Sequence, residues 1–267
     1  MIEPGNGPSE HLVGAEPVVG SESPAVGPTV LSAPAKLTVS LRIVGVRPDG
    51  YHLIDAEMVS LDLADTVVLG PGEGITLSFE PPASGQGGLS IAADADNLVA
   101  KALRLVDRQA AVQLIKRIPA GAGLGGGSAD AAAVLRWAGY DDLVGAAGLG
   151  ADVAFCLVNG RARVGGIGEE VTPLPPVERT YTLLIPPFGC STVAVYRAWD
   201  RLGGPRGDNG NDLEAAALDV EPRLAEWRDA LQAATGLRPR LAGSGSSWFV
   251  EGAFPGDGRL VIPTAST

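Results

Sequence analysis

The sequence has 267 residues, enough for one large domain or two small ones with a substantial buried core. It carries 31 acidic and 20 basic residues, which give a formal net charge of −11. This balance argues against a protein that binds nucleic acid or anionic membranes nonspecifically. An acidic protein that handles an anionic substrate needs a metal ion, or local cations and amide dipoles, to oppose its own field.

Cysteine usage indicates a reducing compartment, and hydropathy indicates a soluble protein. Cys156 and Cys190 have neither the paired spacing of a zinc site nor the density of a disulfide scaffold. No apolar run reaches the length of a membrane span, and the N-terminus lacks the basic and then apolar order of a signal peptide. We therefore expect a soluble, cytoplasmic protein.

The first third of the chain predicts a leader, two strands and a helix. Residues 1–29 are rich in Gly, Pro, Ser and Glu without sustained periodicity, so we expect a disordered leader. The stretches "LTVSLRIVGV" and "AEMVSLDLADTVVL" predict paired strands around an "RPDG" loop. A helix over "DNLVAKALRLVDRQA" is predicted to start at a cap from Asp96. Its apolar residues fall on one stripe: Leu98, Ala102, Leu105 and Val106.

The remaining elements divide the chain into two units. The stretch "VQLIKRI" predicts a strand up to Pro119, a glycine loop follows, and "SADAAAVLRWA" predicts a helix that begins near Ser128 or Asp130. "RARVGGIGEEVTPLP" predicts a strand and a proline-rich connector. "YTLLIPP" opens the second unit, with helices at "TVAVYRAWDRL" and "PRLAEWRDALQAA". The mixed order favours the α+β class, with domains at 30–176 and 177–267.

The stretch "PAGAGLGGGSADAA", residues 119–132, predicts a phosphate-binding loop. Glycine lets backbone N–H groups turn toward one point, and a helix that starts directly afterwards adds N–H groups and the positive end of its dipole. A flexible linker is the alternative. The P-loop is excluded because no lysine closes the stretch. A dinucleotide-binding G-x-G-x-x-G turn is the runner-up, because Lys116, Arg117 and a proline suit a partly exposed strand rather than a buried parallel one.

Residues 119–132 resemble the "PxxxGLGGGSxxAA" phosphate loop of the GHMP kinases. Further segments agree in order with the branch of that superfamily whose acceptor carries cytidine diphosphate: "APAKLTVSLRIVGVRPDGYHLID", "LGADVAFCL", "GIGEEV", "STVAVYRAWD", "NDLE" and "LAGSGSSWF". The resemblance implies a two-domain GHMP kinase fold, with an N-terminal ribosomal-protein-S5-domain-2-like domain and a C-terminal ferredoxin-like domain. It also implies ATP and Mg²⁺ as cofactors.

The resemblance assigns the chemistry to two side chains and one loop. Asp152 corresponds to the aspartate that accepts the proton of the substrate hydroxyl, and Lys36 to the lysine that supports it and the transferring phosphate. From the residues alone, Asp152 could equally cap "VAFCLV" and Lys36 could be an ordinary surface lysine. Ser128 is assigned to Mg²⁺ or phosphate as well as to helix capping. The ATP phosphates are assigned to Pro119, Gly121, Gly123, Leu124, Gly125, Gly126, Gly127 and Ser128.

The acceptor is assigned to the "PDGYH" segment and two other places. The resemblance implies that Tyr51 and Tyr196 cover the two faces of the cytosine while His52 hydrogen-bonds its edge, although "PDG" could be a simple turn. Four more residues are assigned to the substrate side: Thr38, Gly243, Ser244 and Gly245, although "AGSGSS" could also be a tight turn. Asp96 and Asn97 are assigned to the vicinity of the adenine, although both could be helix caps.

The match departs from the family pattern at four places. Thr38 stands where the family usually has asparagine, and Ala154 replaces a proline. The connection between the loop helix and "GADV" is shorter, and the second domain is abbreviated. Two alternatives therefore stay open: another small-molecule GHMP kinase acting on homoserine, mevalonate or a sugar, and a degenerate relative that binds nucleotide without transferring phosphate. We expect a monomer or weak homodimer that binds neither nucleic acid nor membrane.

Overall fold

The computed structural model describes residues 1, 27–81 and 94–265, so nearly all of the predicted leader lies outside the described residues. The strands are β1 Thr29–Val46, β2 His52–Gly70, β3 Ile75–Phe79, β4 Ala111–Lys116, β5 Arg161–Gly165, β6 Glu170–Pro173, β7 Thr180–Leu184, β8 Arg240–Leu241, β9 Trp248–Glu251 and β10 Arg259–Pro263. The helices are α1 Leu98–Leu105, α2 Gly126–Trp137, α3 Leu143–Leu149, α4 Val153–Val158, α5 Thr192–Arg201, α6 Glu214–Val220 and α7 Leu224–Thr235.

The first sheet is built on the long antiparallel pair β1 and β2. The two strands pair from Thr29 opposite Leu69 to Val46 opposite His52, with three register shifts along the way, and this confirms the predicted pair. The strand order is β3-β4-β2-β5-β6, with β1 also paired to β2, and β3 and β4 form its parallel pair. The helices α1, α2 and α4 bury their small and apolar residues in the same core cluster as this sheet.

The second sheet is antiparallel and has the order β10-β7-β9-β8. The helices α5, α6 and α7 share a core cluster with its buried residues, including Trp248 and Val250. Mixed helices and mostly antiparallel strands agree with the predicted α+β class. The proposed boundary at 176/177 lies in the connector between β6 and β7 and stays a prediction. Within the described part of the chain, no helix has the length and apolar character needed to cross a bilayer.

Two predicted helix starts are wrong by one to a few residues. Asn97 rather than Asp96 caps α1, because its side-chain oxygen accepts a hydrogen bond from the Val99 amide at 2.9 Å. The helix α2 begins at Gly126, and neither Ser128 nor Asp130 caps it. Its N-cap is Gly125 at φ 69°, a left-handed conformation that lets the chain enter the helix without a side-chain cap.

The predicted stripe of α1 is also displaced. The buried residues of α1 are Val99, Ala102 and Leu103, so the face of the helix that meets the core is rotated by one residue from the predicted stripe. Leu105 is 40% exposed because it is the last residue of the helix. The short elements β3, β6, α3, α4 and α6 were not predicted. The helices among them have six or seven residues, too few for a periodic pattern to stand out.

One hydrophobic cluster joins the two sheets. It contains Leu37 and Leu61 from the β1–β2 pair and Tyr181 and Phe249 from the second sheet, together with Leu124 from the glycine loop. All five side chains are at most 1% exposed. The ring of Tyr181 meets that of Phe249 edge to face, with centroids 5.7 Å apart. The loop therefore rests on a core to which both sheets contribute.

We predict that Phe249→Ala lowers the free energy of unfolding by about 3–5 kcal/mol, the usual range for removing a fully buried phenylalanine. Because the cluster is shared, both sheets are expected to unfold in one transition. Urea denaturation followed by circular dichroism and by tryptophan fluorescence measures both quantities. Phe79→Ala is the matched control, because Phe79 is 54% exposed and its loss should change stability by less than about 1 kcal/mol. A loss below about 1 kcal/mol for Phe249→Ala would contradict the shared core.

Candidate active site

The glycine loop connects β4 to α2 and presents its main chain. Gly121, Gly123 and Gly125 have φ values of 72°, 75° and 69°, a region in which side chains are strained. Among the described residues, no backbone amide from Gly121 to Gly127 donates a hydrogen bond. The last two of these amides belong to the first turn of α2, where helix geometry supplies no acceptor. The amides expected to bind phosphate are thus available for a ligand.

A pocket of about 270 Å³ lies along this loop. Part of its wall comes from Asp96, Asn97 and Leu98, at the start of α1, and part from Lys116 and Asp130. The rest of the wall is the loop itself, with the residues Ile118, Pro119, Ala120, Gly121, Ala122, Gly123, Leu124, Gly125, Gly126 and Gly127. All predicted phosphate residues except Ser128 therefore share one pocket with the two predicted adenine residues. Ser128 is not among its lining residues.

Lys36 is a buried residue at the centre of the site. Its side chain is 6% exposed, and its Nζ atom lies 3.2 Å from Asp152 Oδ2 and 3.1 Å from Thr38 Oγ1, to which it donates a hydrogen bond. Its backbone amide donates to the Leu124 carbonyl oxygen at 2.9 Å. A Cβ atom at Gly125 would lie 2.7 Å from Lys36 Cγ, so the loop packs directly on the lysine. The surface-lysine alternative is wrong.

Asp152 stands at the start of α4, but its side chain makes no capping hydrogen bond. The carboxylate faces Lys36 instead and is 31% exposed. The short connection after α2 is built by α3, which Asp142 caps through the Val144 amide. The shortened segment therefore still delivers Asp152 to the lysine, and the capping alternative for Asp152 is wrong.

The "AGSGSS" loop of the second sheet lies against the glycine loop. Ser247 donates from both its amide and its hydroxyl to the Ala122 carbonyl oxygen, at 3.3 and 2.6 Å. A Cβ atom on Gly243 would lie 3.6 Å from Thr38 Oγ1 and 3.7 Å from Lys36 Nζ. The two loops and Lys36 are thus in contact. Thr38 is held to the lysine.

The residues assigned to the acceptor base lie where the β1–β2 turn meets α5. Tyr51 is 59% exposed. The His52 ring lies 4.8 Å from the Tyr196 ring at an angle of 45°. Burial raises the pKa of the Tyr196 hydroxyl, and the charge of Asp152 adds to this shift, so Tyr196 and Asp152 share one electrostatic environment. At the start of α5, Thr192 Oγ1 lies 2.9 Å from Ser244 Oγ.

Sequence reasoning missed a buried ionic cluster beneath the loop. Lys116 Nζ contacts the Oδ2 atoms of both Asp65 and Asp130, and all three residues are at most 2% exposed. The prediction that Lys116 lies on a partly exposed strand is wrong, because two carboxylates compensate its burial. Asp65 Oδ1 also accepts the amides of Arg117 and Ile118, at 2.5 and 2.8 Å, and so fixes the entrance of the loop.

This cluster holds one positive and two potential negative charges. Burial lowers the pKa of Lys116, but Asp130 and Asp65 outweigh that effect and raise it overall. Burial raises the pKa of Asp130 to about 7, with Lys116 opposing the shift and Asp65 adding to it. Asp130 Oδ1 is buried without a hydrogen-bond partner in the described structure. Among the described residues, no group of three or more His, Cys, Asp or Glu side chains could hold a metal ion.

A family model matches the segment that contains the glycine loop and Asp152. Residues 97–160, from the cap of α1 to just beyond α4, match the family model described as GHMP kinases N terminal domain. The class is that of the GHMP kinases, and the predicted resemblance is confirmed.

Three similar proteins narrow the class. The 4-diphosphocytidyl-2-C-methyl-D-erythritol kinase of Paracoccus denitrificans is 39% identical over 237 residues, covering 82% of this chain and 85% of the relative. The kinase of the same name from Ruegeria pomeroyi is 37% identical, covering 85% and 88%. A crystal structure of 4-(cytidine 5'-diphospho)-2C-methyl-D-erythritol kinase is similar with a TM-score of 0.66 and 29% identity, covering 89% and 100%. The chain belongs to the 4-diphosphocytidyl-2-C-methyl-D-erythritol kinase family.

We predict that Gly123→Ala raises the KM for ATP by about tenfold, because a side chain at this positive φ costs about 1–3 kcal/mol. The new Cβ atom would also lie 2.6 Å from the Gly245 carbonyl oxygen and push the two loops apart. Steady-state kinetics with varied ATP measures the effect. Gly148→Ala is the control, because a Cβ atom there would meet no described atom within 4 Å apart from the neighbouring backbone of its own helix, α3. An unchanged KM for Gly123→Ala would contradict the close packing of the loops.

The cluster predicts a pH dependence of stability. Between about pH 4 and pH 7 the folded chain keeps a proton on Asp130 that the unfolded chain has released, since the pKa rises from 3.8 to about 7 on folding. The folded state therefore binds more protons, and stability should fall as the pH rises through this window. Urea denaturation at several pH values should show that slope in the wild type and a flatter one in Asp130→Asn.

Asp55→Asn is the control for this prediction. Its hydrogen bond to Arg163 lowers the pKa of Asp55, so its contribution to stability is lost only as the pH falls below about 4. The difference between wild type and Asp55→Asn should be constant from pH 5 to pH 8. Parallel curves for wild type and Asp130→Asn would show that Asp130 does not titrate in that window.

Proposed function

We propose that this protein transfers the γ-phosphate of ATP to the tertiary 2-hydroxyl of 4-diphosphocytidyl-2-C-methyl-D-erythritol, a step of non-mevalonate isoprenoid synthesis. The observation that carries the proposal is the Lys36–Asp152 pair, with Lys36 Nζ 3.2 Å from Asp152 Oδ2. The pair packs on the glycine loop, whose backbone amides from Gly121 to Gly127 donate no hydrogen bond among the described residues. Phosphoryl transfer asks mainly for positioning and charge neutralisation, and this arrangement offers both.

In the proposed reaction, Asp152 accepts the proton of the acceptor hydroxyl as its oxygen attacks the γ-phosphorus. The bond from that phosphorus to the bridging oxygen breaks, and its electron pair leaves with ADP. Lys36 holds the carboxylate in place and offers a positive charge beside the transferring group. Its low exposure supports this role, because electrostatic interactions strengthen where water is excluded.

The nucleotide is proposed to bind with its phosphates on the amides of residues 121–127. The available amides and the start of α2 support this placement, since both favour anions. Asp96 and Asn97 line the same pocket and are proposed to lie near the adenine. Bound Mg²⁺ would neutralise phosphate charge, and such an ion needs few protein ligands because the phosphates supply several. Ser128 is the proposed hydroxyl ligand.

The cytidine end of the acceptor is proposed to bind between Tyr51 and Tyr196, with His52 at the base edge. The exposed ring of Tyr51 and the contact between the His52 and Tyr196 rings support this location. Gly243, Ser244, Gly245 and Thr38 are proposed to approach the acceptor from the second loop, whose contact with the glycine loop supports the assignment.

The alternatives have less support. The two relatives at 39% and 37% identity carry the name of the cytidylated acceptor, which disfavours homoserine, mevalonate or a sugar. The intact pair of Lys36 and Asp152 disfavours a degenerate binding protein. A cytoplasmic location, a monomer or weak homodimer, and the absence of nucleic-acid binding stay predictions that the net charge of −11 supports in part.

We predict that Asp152→Asn lowers kcat by about 10²–10⁴-fold while ATP binding stays within twofold, because the amide cannot accept the hydroxyl proton. Coupled ADP release with the cytidylated acceptor measures kcat, and fluorescence titration measures ATP binding. Asp229→Asn is the matched control, since Asp229 is 63% exposed and pairs with the adjacent Arg228. Equal turnover by wild type and Asp152→Asn would remove the assigned base.

A further inference from the structure

His52 and Asp200 are joined although they lie 148 residues apart. His52 is the first residue of β2, and Asp200 lies in the last turn of α5. The His52 Nε2 atom lies 2.8 Å from Asp200 Oδ1, a hydrogen-bond distance. The side chain of His52 is 8% exposed and that of Asp200 is 50% exposed. The contact thus links the strand that follows the "PDGY" turn to the helix of the second unit.

Three residues of α5 together fix the His52 ring. Tyr196 packs against it in a tilted arrangement, with ring centroids 4.8 Å apart, and the Trp199 ring is nearly perpendicular to it at 5.4 Å. Tyr196, Trp199 and Asp200 are spaced i, i+3 and i+4, so they share one face of the helix. Trp199 is itself held by a hydrogen bond from Nε1 to the Pro205 carbonyl oxygen at 2.9 Å. The ring has little freedom to rotate.

The carboxylate of Asp200 determines which nitrogen of the ring carries the proton. An ionised carboxylate only accepts hydrogen bonds, so Nε2 must be the donor. In a neutral imidazole the other nitrogen, Nδ1, then presents a lone pair. Among the described residues, Nδ1 of His52 has no hydrogen-bond partner. The ring therefore offers an acceptor atom, without a protein partner among the described residues, in a fixed direction.

We propose that Asp200 is a positioning residue that makes His52 a hydrogen-bond acceptor for the exocyclic amine of cytosine, and so selects a cytidine acceptor over a uridine one. The inference rests on the proposed function, because it takes the cytidylated polyol as the substrate. Cytosine presents an amino donor at its C4 position, where uracil has a carbonyl oxygen that only accepts. An acceptor nitrogen pairs with the amine and leaves the carbonyl without a partner, which is how a buried polar site rejects a near-isostere.

The test compares wild type with Asp200→Asn on two acceptors, the cytidine diphosphate polyol and its uridine diphosphate analogue. An asparagine can accept or donate at the same place, so it no longer dictates the tautomer. We expect the preference for the cytidine acceptor to fall about tenfold through KM, with kcat and the KM for ATP within twofold of wild type. Asp219→Asn is the control, because Asp219 pairs with Arg201 on the surface of α6.

A spectroscopic measurement separates positioning from simple packing. The sequence contains only two histidines, His11 and His52, so a His11→Gln variant assigns the imidazole ¹⁵N resonances. We expect the His52 shifts of wild type to show the Nε2–H tautomer and those of Asp200→Asn to move toward a mixture. Unchanged shifts, or an equal loss on both acceptors, would overturn the role of Asp200.

The two proposals fail in different ways. If wild type does not phosphorylate the cytidine acceptor, the proposed function fails and the role of Asp200 fails with it. If wild type phosphorylates it and Asp200→Asn keeps the full preference for cytidine, only the role of Asp200 fails. A thermal unfolding curve for each variant excludes loss of the fold as the cause of any change in KM.

Discussion

The contact between Lys36 and its surroundings is the constraint on which the active site depends. The lysine is a residue of β1, and its amide ties that strand to the glycine loop through the Leu124 carbonyl oxygen. Its ammonium meets the Asp152 carboxylate, and the space around its stem admits no side chain at Gly125. Three separate segments, β1, the glycine loop and the start of α4, therefore converge on one buried cation. A charge this deep in the protein is tolerated because its partners are already in place.

The parts of the fold that could be predicted from sequence are those with local signals. The β1–β2 pair has alternating apolar residues on both sides of a turn, and the glycine loop has a spacing that few other structures require. The helix starts could not be placed as well, because polar side chains at Asp96 and Ser128 compete with neighbours that cap equally well or need no cap. Short elements such as α3 lack enough residues to show a period.

The buried ionic cluster shows what sequence reasoning can miss within a correct motif. Lys116 ends an alternating strand on the same face as Val112 and Leu114, and Asp65 occupies the buried phase of β2. A charged residue in a buried phase needs a buried partner, and this signal was present in both strands. Which partner each one has could not be predicted, because Asp65 and Asp130 come from elements that only the tertiary fold brings together. The same limit applies to His52 and Asp200.

The helix α5 contacts two distant parts of the site at once. Its first residue, Thr192, reaches Ser244 on the second loop, and its last turn reaches His52 through Asp200. These two ends are eight residues apart, which in an α-helix is about 12 Å. Under the proposed placement of the acceptor, a molecule that contacts both ends of α5 must span at least that distance. A free base or a short polyol could occupy one end, but only a linked molecule of matching length would fill both.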